Sequence, residues 1–239
     1  MWKTIESQKE NISDISLSAG NTGALLVISR LILSTIDGIS KPALAGLWPN
    51  QNNMNVVLDL GANVECNEKN LLDFASMGSA LYKSLFQNEI PKVALLNIGL
   101  EENKGNDTLK KTFSFLKNKN LSNFDFCGYI EGNHIMDGNV DVIVTDGFTG
   151  NIALKTAEGT ANFITKNLKK SLNKLSILLS FNSLNKFKQK LDPRKYNGAI
   201  FLGLESPVVK SHGGTDALGF AYSIEMCNKI VNANLIQKI

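Results

Sequence analysis

The chain has 239 residues, of which 43% are apolar and 20% charged, an ordinary balance for a folded protein of one large domain or two small ones. No apolar run approaches the roughly 20 residues that span a bilayer, and residues 1–10 lack an apolar signal-peptide region, which argues against membrane insertion and export. Three widely spaced cysteines and two histidines argue against a disulfide framework and a zinc site. We expect a cytoplasmic protein without a metal or a cofactor.

The net charge of +3 conceals an uneven distribution. Residues 155–195 contain ten basic and two acidic residues, a net charge of +8, whereas the rest of the chain carries −5. One segment is therefore positive on a mildly acidic body, which is typical of proteins that meet an anionic surface or partner.

Short apolar runs alternate with helical patterns along the whole chain. Runs that predict buried strands are Ile15–Ala19, Val56–Leu60, Val93–Ile98, the weaker Phe124–Ile130, Val140–Thr145 and Ala199–Leu204. Helical periodicity follows the first run at Ala24–Leu33, and then appears after Asn67, Asn106, Asn151 and Thr215. Asn67 and Thr215 are the expected N-caps of their helices. This order predicts an α/β protein, a three-layer α/β/α domain with a mostly parallel sheet, formed by residues 1–239.

The segment 168–192 differs from the rest. Two leucine-rich stripes flank an apolar stretch at Ile177–Phe181, and lysines lie on either side of it. We expect a helical hairpin that protrudes from the sheet domain.

Glycine and small polar residues are concentrated in the loops between strands and helices. Because ligands of parallel sheets usually bind beyond the carboxyl ends of the strands, these loops are the candidate site. They include Gly20–Gly23, Gly61–Asn63, Lys104–Asn106 and Asp146–Asn151. We expect such loops to share one edge of the sheet and to surround one oxyanion.

Each loop also has a simpler interpretation. The Gly20–Gly23 loop binds an anion through free N–H groups or is only a tight turn. Asn151 offers its amide to a ligand or caps a helix, and Lys104 is a cation for phosphate or a solvated lysine. His212, before another helix start, donates to an anion or is an ordinary loop histidine. Only the coincidence of these loops favours the functional interpretation.

Several common catalytic motifs do not occur. The sequence has no Gly-x-Ser-x-Gly, no P-loop, no Gly-x-Gly-x-x-Gly and no His-Glu-x-x-His. Serine hydrolysis, P-loop phosphoryl transfer and zinc proteolysis therefore lose their usual support.

Taken together and in order, these loops resemble one family closely. The chain resembles the bacterial phosphate acyltransferase family of phospholipid synthesis, which converts acyl carrier protein thioesters and inorganic phosphate into acyl phosphates. The matching stretches are Ser18–Leu25, Leu58–Asn63, Leu95–Gly99, Lys104–Asn106, Val144–Asn151 with Ala153–Lys155, and Gly203–Gly213. Together they span nearly the whole chain.

The resemblance implies roles for particular residues. Lys104 and Asn151 match the family's catalytic positions. The residues that would line the phosphate and acyl-phosphate site are Gly20, Asn21, Thr22, Gly23, Asn63, Asp146, Gly147, Thr149, Gly150 and, as a weaker match, His212.

The resemblance also implies a fold, partners and a location. The fold is like that of the isopropylmalate and isocitrate dehydrogenases, and members of the family form homodimers. No nucleic-acid partner is expected. The predicted protrusion would contact acyl carrier protein or the inner face of the cell membrane, so that the protein is cytoplasmic and peripheral. The residues assigned to that contact are Lys169, Lys170, Lys174, Leu178 and Phe181.

The chain departs from the family pattern at its beginning. Members of the family start with a strand carrying Asp-Ala-Met-Gly-Gly-Asp and further β-α units, whereas here the Gly-Asn-Thr-Gly loop starts at Gly20. We expect a fragment, a late-start reading of a longer gene, or a shortened protein. Asn103, where the family often has an acidic residue, is a smaller departure.

Phosphorolysis of a thioester requires no protein nucleophile. Phosphate is already an anion near neutral pH, and a thiol with a pKa of roughly 8.5 leaves readily as thiolate. We expect backbone N–H groups to hold phosphate, Lys104 to neutralise it and polarise the carbonyl, and Asn151 to donate to the developing oxyanion. Open alternatives are a phosphotransacylase that uses acyl-CoA and a non-catalytic homologue that dimerises or binds acyl carrier protein. A dehydrogenase is disfavoured by the missing dinucleotide motif.

Overall fold

The computed structural model describes residues 1–86, 90–118, 122–171, 194 and 197–239. The strands are β1 (Ser16–Ser18), β2 (Ala43–Pro49), β3 (Met54–Leu58), β4 (Lys92–Asn97), β5 (Asp125–Glu131), β6 (Val142–Val144), β7 (Ala199–Leu202) and β8 (Val208–Lys210). The helices are α1 (Trp2–Lys9), α2 (Thr22–Leu33), α3 (Glu68–Phe86), α4 (Asp107–Asn118), α5 (Gly147–Ser171), α6 (Ala217–Asn232) and α7 (Leu235–Lys238), with a short 3₁₀ helix at Gly132–His134.

The eight described strands form one sheet in the order β1-β8-β7-β2-β3-β6-β4-β5. Four of the seven pairings are parallel: β1 with β8, β3 with β6, β6 with β4, and β4 with β5. The other three, β8–β7, β7–β2 and β2–β3, are antiparallel. Consequently β3, β4, β5, β6 and β7 end at one edge of the sheet, whereas β1 and β8 end at the opposite edge.

The chain reverses twice to give this arrangement, at a tight hairpin between β2 and β3 and again between β7 and β8. The Asn50 side-chain oxygen accepts hydrogen bonds from the N–H groups of Asn52 and Asn53, and the strands then pair from Pro49 with Met54 onwards. Asparagine-rich tetrapeptides favour such turns because the side chain mimics a backbone acceptor.

Helices cover both faces of the sheet. On one face, Phe74, Met77 and Leu81 of α3 are fully buried in a core shared with α4, α6 and α7. On the other face, α1 and α2 contribute Ile5 and Leu25, and α5 packs beside them. Strands buried on both sides need apolar residues at successive positions, which explains the continuous runs in the sequence. The predicted three-layer α/β/α architecture is confirmed.

Side-chain caps fix where the helices begin. Asn67 accepts from the Asn70 N–H at 2.9 Å, which confirms the cap predicted there. Asn106 likewise caps its helix by accepting from the Leu109 N–H at 2.8 Å. The cap predicted at position 215 is wrong. The neighbouring Asp216 accepts from Gly219 N–H at 2.9 Å, as an aspartate at this position does readily.

The predicted hairpin over 168–192 lies mostly outside the described residues. Its first residues continue α5, which ends at Ser171. No described helix is long and apolar enough to cross a membrane.

Candidate functional site

Three polar loops follow three neighbouring strands. β3, β6 and β4 are parallel, and their register aligns Leu58 with Val144 and Val144 with Leu95. The loops that start at residues 59, 145 and 98 therefore leave the sheet side by side. We call this region the β3–β6–β4 edge.

Asp59 anchors the first of these loops. It is fully buried, and its Oδ1 accepts from the N–H groups of Leu44, Gly61 and Ala62 at 3.0, 3.1 and 2.9 Å. Its Oδ2 accepts from the Asn63 N–H at 2.7 Å and from the Asn63 Nδ2 at 2.8 Å. Burial raises the pKa of the Asp59 carboxyl above its ordinary value, and these hydrogen bonds oppose the rise. The carboxylate thus holds the loop from within.

Asn63 joins this loop to its surroundings. Its side-chain Nδ2 also donates to the Pro42 carbonyl at 2.7 Å, and its own carbonyl accepts from the Gly147 N–H at 2.8 Å. The residue is only 9% exposed. The amide hydrogens that the sequence assigned to substrate are therefore used by the fold.

Asp146, and not Asn151, caps α5. Its Oδ1 accepts from the Thr149 N–H at 2.7 Å and its Oδ2 from the Thr149 hydroxyl at 3.2 Å. The interpretation of Asn151 as the cap is wrong, because α5 already begins at Gly147.

Most N–H groups at the start of α5 have partners inside the chain. The Gly147 N–H donates to Asn63, the Thr149 N–H to Asp146, and the Gly150 N–H to the Asp146 carbonyl at 2.9 Å. Among the first four residues of α5, only Phe148 has an N–H without a described partner. The predicted phosphate cradle at 147–150 thus has one open backbone donor.

Two glycines allow α5 to approach the Asp59 loop. A β carbon at Gly150 would overlap the Asp59 carbonyl oxygen, and one at Gly147 would overlap the Asn63 carbonyl oxygen. Both glycines are buried, which shows that their role in the structure is close packing.

Asn151 remains exposed at the edge. It lies one turn into α5, and a β carbon built at Gly61 would be 3.4 Å from both its Cβ and its Cγ. Within the described chain its carboxamide has no hydrogen-bond partner. The amide is therefore held against the Asp59 loop and is open to a ligand.

Lys104 lies in the loop after β4. The buried Asn97 donates its side-chain amide to the carbonyls of Gly99 and Lys104 at 3.1 and 3.3 Å, which folds the loop back on itself. Gly105, with φ of +88°, makes the turn possible, since a β carbon there would crowd the Asn97 amide. The Lys104 side chain is exposed and forms no ion pair with any described residue.

The remaining predicted residues lie at the opposite edge. β1 and β8 end there, in register at Ser18 with Lys210, so the expectation that all loops share one edge is wrong. The physical reason is that the chain reverses at the β2–β3 hairpin and again between β7 and β8. The Gly20–Gly23 loop and the His212 loop adjoin, since a β carbon at Gly213 would be 3.3 Å from the Ala19 carbonyl oxygen.

This second group is only partly free to bind. Asn21 caps α2 by accepting from the Ala24 N–H at 3.0 Å, and the Gly20 N–H donates to the Ser18 hydroxyl at 3.2 Å. Thr22 and Gly23, the first two residues of α2, have no described partners for their N–H groups. They are the open donors of this loop.

His212 is exposed beside these donors. Its Nδ1 accepts from the Gly214 N–H at 3.1 Å, and its own N–H donates to the Asn197 side-chain oxygen at 2.8 Å. Nε2 is thus the ring nitrogen left for a ligand.

Sequence reasoning missed Asp59 and Asn97 as organising residues. A signal existed for each, because both are polar residues at the end of a buried apolar run, where an unpaired polar group would be costly.

The residues predicted to contact a membrane or acyl carrier protein are mostly outside the described part. Lys174, Leu178, Phe181 and the Lys169 side chain are not described, whereas Lys170 is exposed near the end of α5. In the described ranges no group of three or more His, Cys, Asp or Glu side chains is placed to hold a metal ion.

Comparisons with solved structures agree with this fold. A phosphotransacetylase from Streptococcus pyogenes superposes with a TM-score of 0.63 at 17% identity, over 99% of this chain and 67% of its own. The EutD phosphotransacetylase from Staphylococcus aureus gives 0.59 at 16% identity, over 100% and 67%. A putative 4-hydroxythreonine-4-phosphate dehydrogenase from Salmonella typhimurium gives 0.53 at 12% identity, over 96% and 69%.

Sequence relatives are closer. The family model described as fatty acid synthesis protein matches residues 1–238. The phosphate acyltransferase of Pelagibacter ubique is 63% identical over the whole of this chain and 73% of its own length, and that of Agrobacterium fabrum is 43% identical over 100% and 69%. The chain belongs to this family of acyltransferases, the phosphate acyltransferases of fatty acid synthesis.

Proposed function

We propose that this protein transfers a fatty acyl group from acyl carrier protein to inorganic phosphate and so forms an acyl phosphate for phospholipid synthesis. Phosphate acyl transfer is supported by the names of the relatives at 63% and 43% identity. The thioester donor is our inference from the family resemblance and from the positive segment over 155–195.

The observation that carries the proposal is the pairing of an exposed ammonium with an exposed amide at neighbouring strand ends. Lys104 and Asn151 follow β4 and β6, which are hydrogen-bonded to each other, and neither side chain is bonded within the described chain. A site that leaves a cation and a neutral donor open suits a reaction in which negative charge approaches a carbonyl and then develops on it.

Each residue has a separate task in this reaction. One phosphate oxygen attacks the thioester carbon, the carbonyl oxygen becomes negative, and the tetrahedral intermediate expels the thiolate. Lys104 offsets the phosphate charge and polarises the carbonyl, while the Asn151 amide donates to the oxyanion. No side chain forms a covalent bond to the acyl group, since phosphate is the nucleophile.

Open backbone donors supply the anion contacts. Phe148 offers an N–H at the β3–β6–β4 edge, and Thr22 and Gly23 offer two at the start of α2, with His212 beside them. N–H groups at helix starts favour anions through hydrogen bonding and the helix dipole. Of these donors, only the Phe148 N–H lies at the edge that carries Lys104 and Asn151, so we assign it to the reacting phosphate; the α2 group lies at the opposite edge and takes no part in the proposed transfer step.

The partner surface is assigned to the positive segment. Lys166 and Lys170 are exposed on one side of α5, four residues apart, and would guide an acidic carrier protein by charge. Homodimer formation and peripheral contact with an anionic membrane through the 168–192 segment, at the cytoplasmic side, belong to the same proposal.

A direct assay tests the function. Purified protein is incubated with inorganic phosphate and either palmitoyl–acyl carrier protein or palmitoyl-CoA, and acyl phosphate is trapped with hydroxylamine as the hydroxamate. Faster turnover with the carrier protein supports the proposal. Turnover restricted to palmitoyl-CoA identifies a phosphotransacylase of another donor class, and no product with either thioester identifies a non-catalytic homologue.

A further inference from the structure

We infer that Asp59 is a positioning residue that fixes the Asn151 carboxamide for the transfer step. The inference rests on the role proposed above for Asn151. Asp59 itself has no exposed surface and does not touch substrate, so any contribution to the reaction passes through its neighbours.

The first link is between Asp59 and its own loop. Five N–H hydrogen bonds converge on one carboxylate, and three of them come from the backbone of residues 61–63. A buried carboxylate requires such donors, and donors on successive residues leave the loop one conformation.

The second link is between the loop and α5. Gly61, with φ of +122°, presents its bare Cα side to Asn151. The Asn63 carbonyl binds the Gly147 N–H, and the Asp59 carbonyl lies against Gly150. These three contacts therefore fix the first turns of α5, including Asn151, against the loop that Asp59 orders, residues 61–63.

The replacement Asp59→Asn should disturb this arrangement selectively. The amide oxygen can still accept from the Gly61 and Ala62 N–H groups, but the new amide nitrogen faces the two donors of Asn63. The new N–H₂ group would then face two other N–H donors with no acceptor between them, so the loop would have to shift. A displacement of about 1 Å at a reacting group lowers turnover by about 100-fold. Because the Asn151 donor acts on charge formed in the transition state, kcat should fall while KM changes little.

A double-mutant cycle tests the inference. Asp59→Asn is compared in the parent chain and in the Asn151→Ala variant, with kcat and the KM for phosphate measured from hydroxamate formation. We expect Asn151→Ala to lower kcat by about 100-fold, as the loss of an oxyanion donor does. Asp59→Asn should lower it by about 10-fold or more in the parent and by less than about 3-fold in the Asn151→Ala background. An equal loss in both backgrounds, or a change confined to KM, overturns the inference.

A second variant keeps the test decisive where Asp59→Asn does not fold. Gly61→Ala strains the backbone at a φ of +122° and places a methyl group in contact with Asn151, 3.4 Å from its Cβ and Cγ. Gly38→Ala also strains a positive φ, of +85°, but has nothing within 4 Å of the new methyl. Both replacements strain the backbone, but only Gly61→Ala should lower kcat, by about 10-fold or more. Equal kcat values for the two variants contradict the inference. Where Asp59→Asn does not fold, a kcat that falls for Gly61→Ala alone supports positioning through this loop. Where Asp59→Asn folds and leaves kcat unchanged, the inference is overturned. A parent that makes no acyl phosphate overturns the proposed function and this inference together.

Discussion

The backbone carbonyl of Asn63 accepts a 2.8 Å hydrogen bond from the N–H of Gly147, which joins the loop after β3 to the first residue of α5. This bond uses a donor that an anion could otherwise bind. Most N–H groups at the start of α5 therefore build the edge, and the proposed reaction is assigned to the exposed side chains of Lys104 and Asn151.

Because α5 packs closely against the Asp59 loop, we expect one added methyl group at this contact to lower the stability of the protein strongly. Gly150→Ala places a β carbon over the Asp59 carbonyl oxygen and 2.9 Å from the Thr145 Cγ2, so either the helix or the loop must move. Forcing atoms into a packed interior costs about 1–3 kcal/mol, occasionally more. We expect a loss of that size in the free energy of unfolding, measured with urea.

The matched control lies on the same helix. Gly159→Ala meets nothing within 4 Å, and alanine is favoured over glycine inside helices by about 1 kcal/mol. We expect this variant to be as stable as the parent or more so. Equal stability of the two variants would show that the contact between α5 and Asp59 is looser than the structure indicates.

Replacement of Lys104 tests the cation at the site. Lys104→Ala should lower kcat/KM by about 100- to 1,000-fold, since an unpaired ammonium that faces an oxyanion has no substitute among its neighbours. The free energy of unfolding should stay within about 0.5 kcal/mol, because the side chain is exposed.

Lys92→Ala provides the comparison, since Lys92 is exposed at the other end of the same strand. This variant has the same change of charge and should retain parental kcat/KM. Parental activity of Lys104→Ala would remove Lys104 from the mechanism.

Some strands of this fold could be predicted from the sequence, and others could not, because their sequence patterns differ. Within the runs Val93–Ile98 and Val140–Thr145, residues 93–97 and 142–145 are buried, so composition alone reveals these strands. β2 was missed because Gly46 and Pro49 interrupt its pattern, and β8 because its apolar run is only Val208–Val209.

The site could be predicted only within one set of parallel strands. The loops of Lys104 and Asn151 were expected at one edge of the sheet, and the structure has them there, after the paired strands β4 and β6. The separation of Gly20–Gly23 from them follows from strand direction, which a loop motif does not encode. The turn at 50–53, rich in asparagine, was the available clue to the reversal.

The thiols should differ sharply in reactivity. Burial, with help from the nearby negative charge of Asp59, raises the pKa of Cys66 to about 11. Partial burial of the thiol also raises the pKa of Cys127, but that residue as a whole is exposed and reagents can reach it. At pH 8 a thiol with the pKa of Cys66 is only about 0.1% thiolate, and the thiolate is the reactive form. We expect iodoacetamide to label Cys127 well before Cys66, as measured by peptide mass spectrometry.

The pH dependence has a definite sign. Below its pKa, the thiolate fraction of Cys66 rises tenfold per pH unit, so alkylation of the folded protein should accelerate about 100-fold between pH 8 and pH 10. When urea unfolds the protein, Cys66 is no longer buried and should react like an ordinary thiol. Rapid labelling of Cys66 at pH 8 in the folded protein would contradict its buried setting.

Charge reversal on α5 tests the carrier-protein surface. Lys166→Glu together with Lys170→Glu should raise the KM for palmitoyl–acyl carrier protein by about 10-fold at low ionic strength and leave the KM for phosphate unchanged, because long-range attraction mainly governs the encounter. At 0.5 M salt the difference should shrink to less than about 2-fold, since the Debye length is then only about 4 Å.

The double variant Lys3→Glu with Lys238→Glu alters the net charge equally at exposed sites on α1 and α7. If both double variants raise the carrier-protein KM alike, net charge rather than this surface determines docking. If neither raises it, acyl carrier protein binds elsewhere.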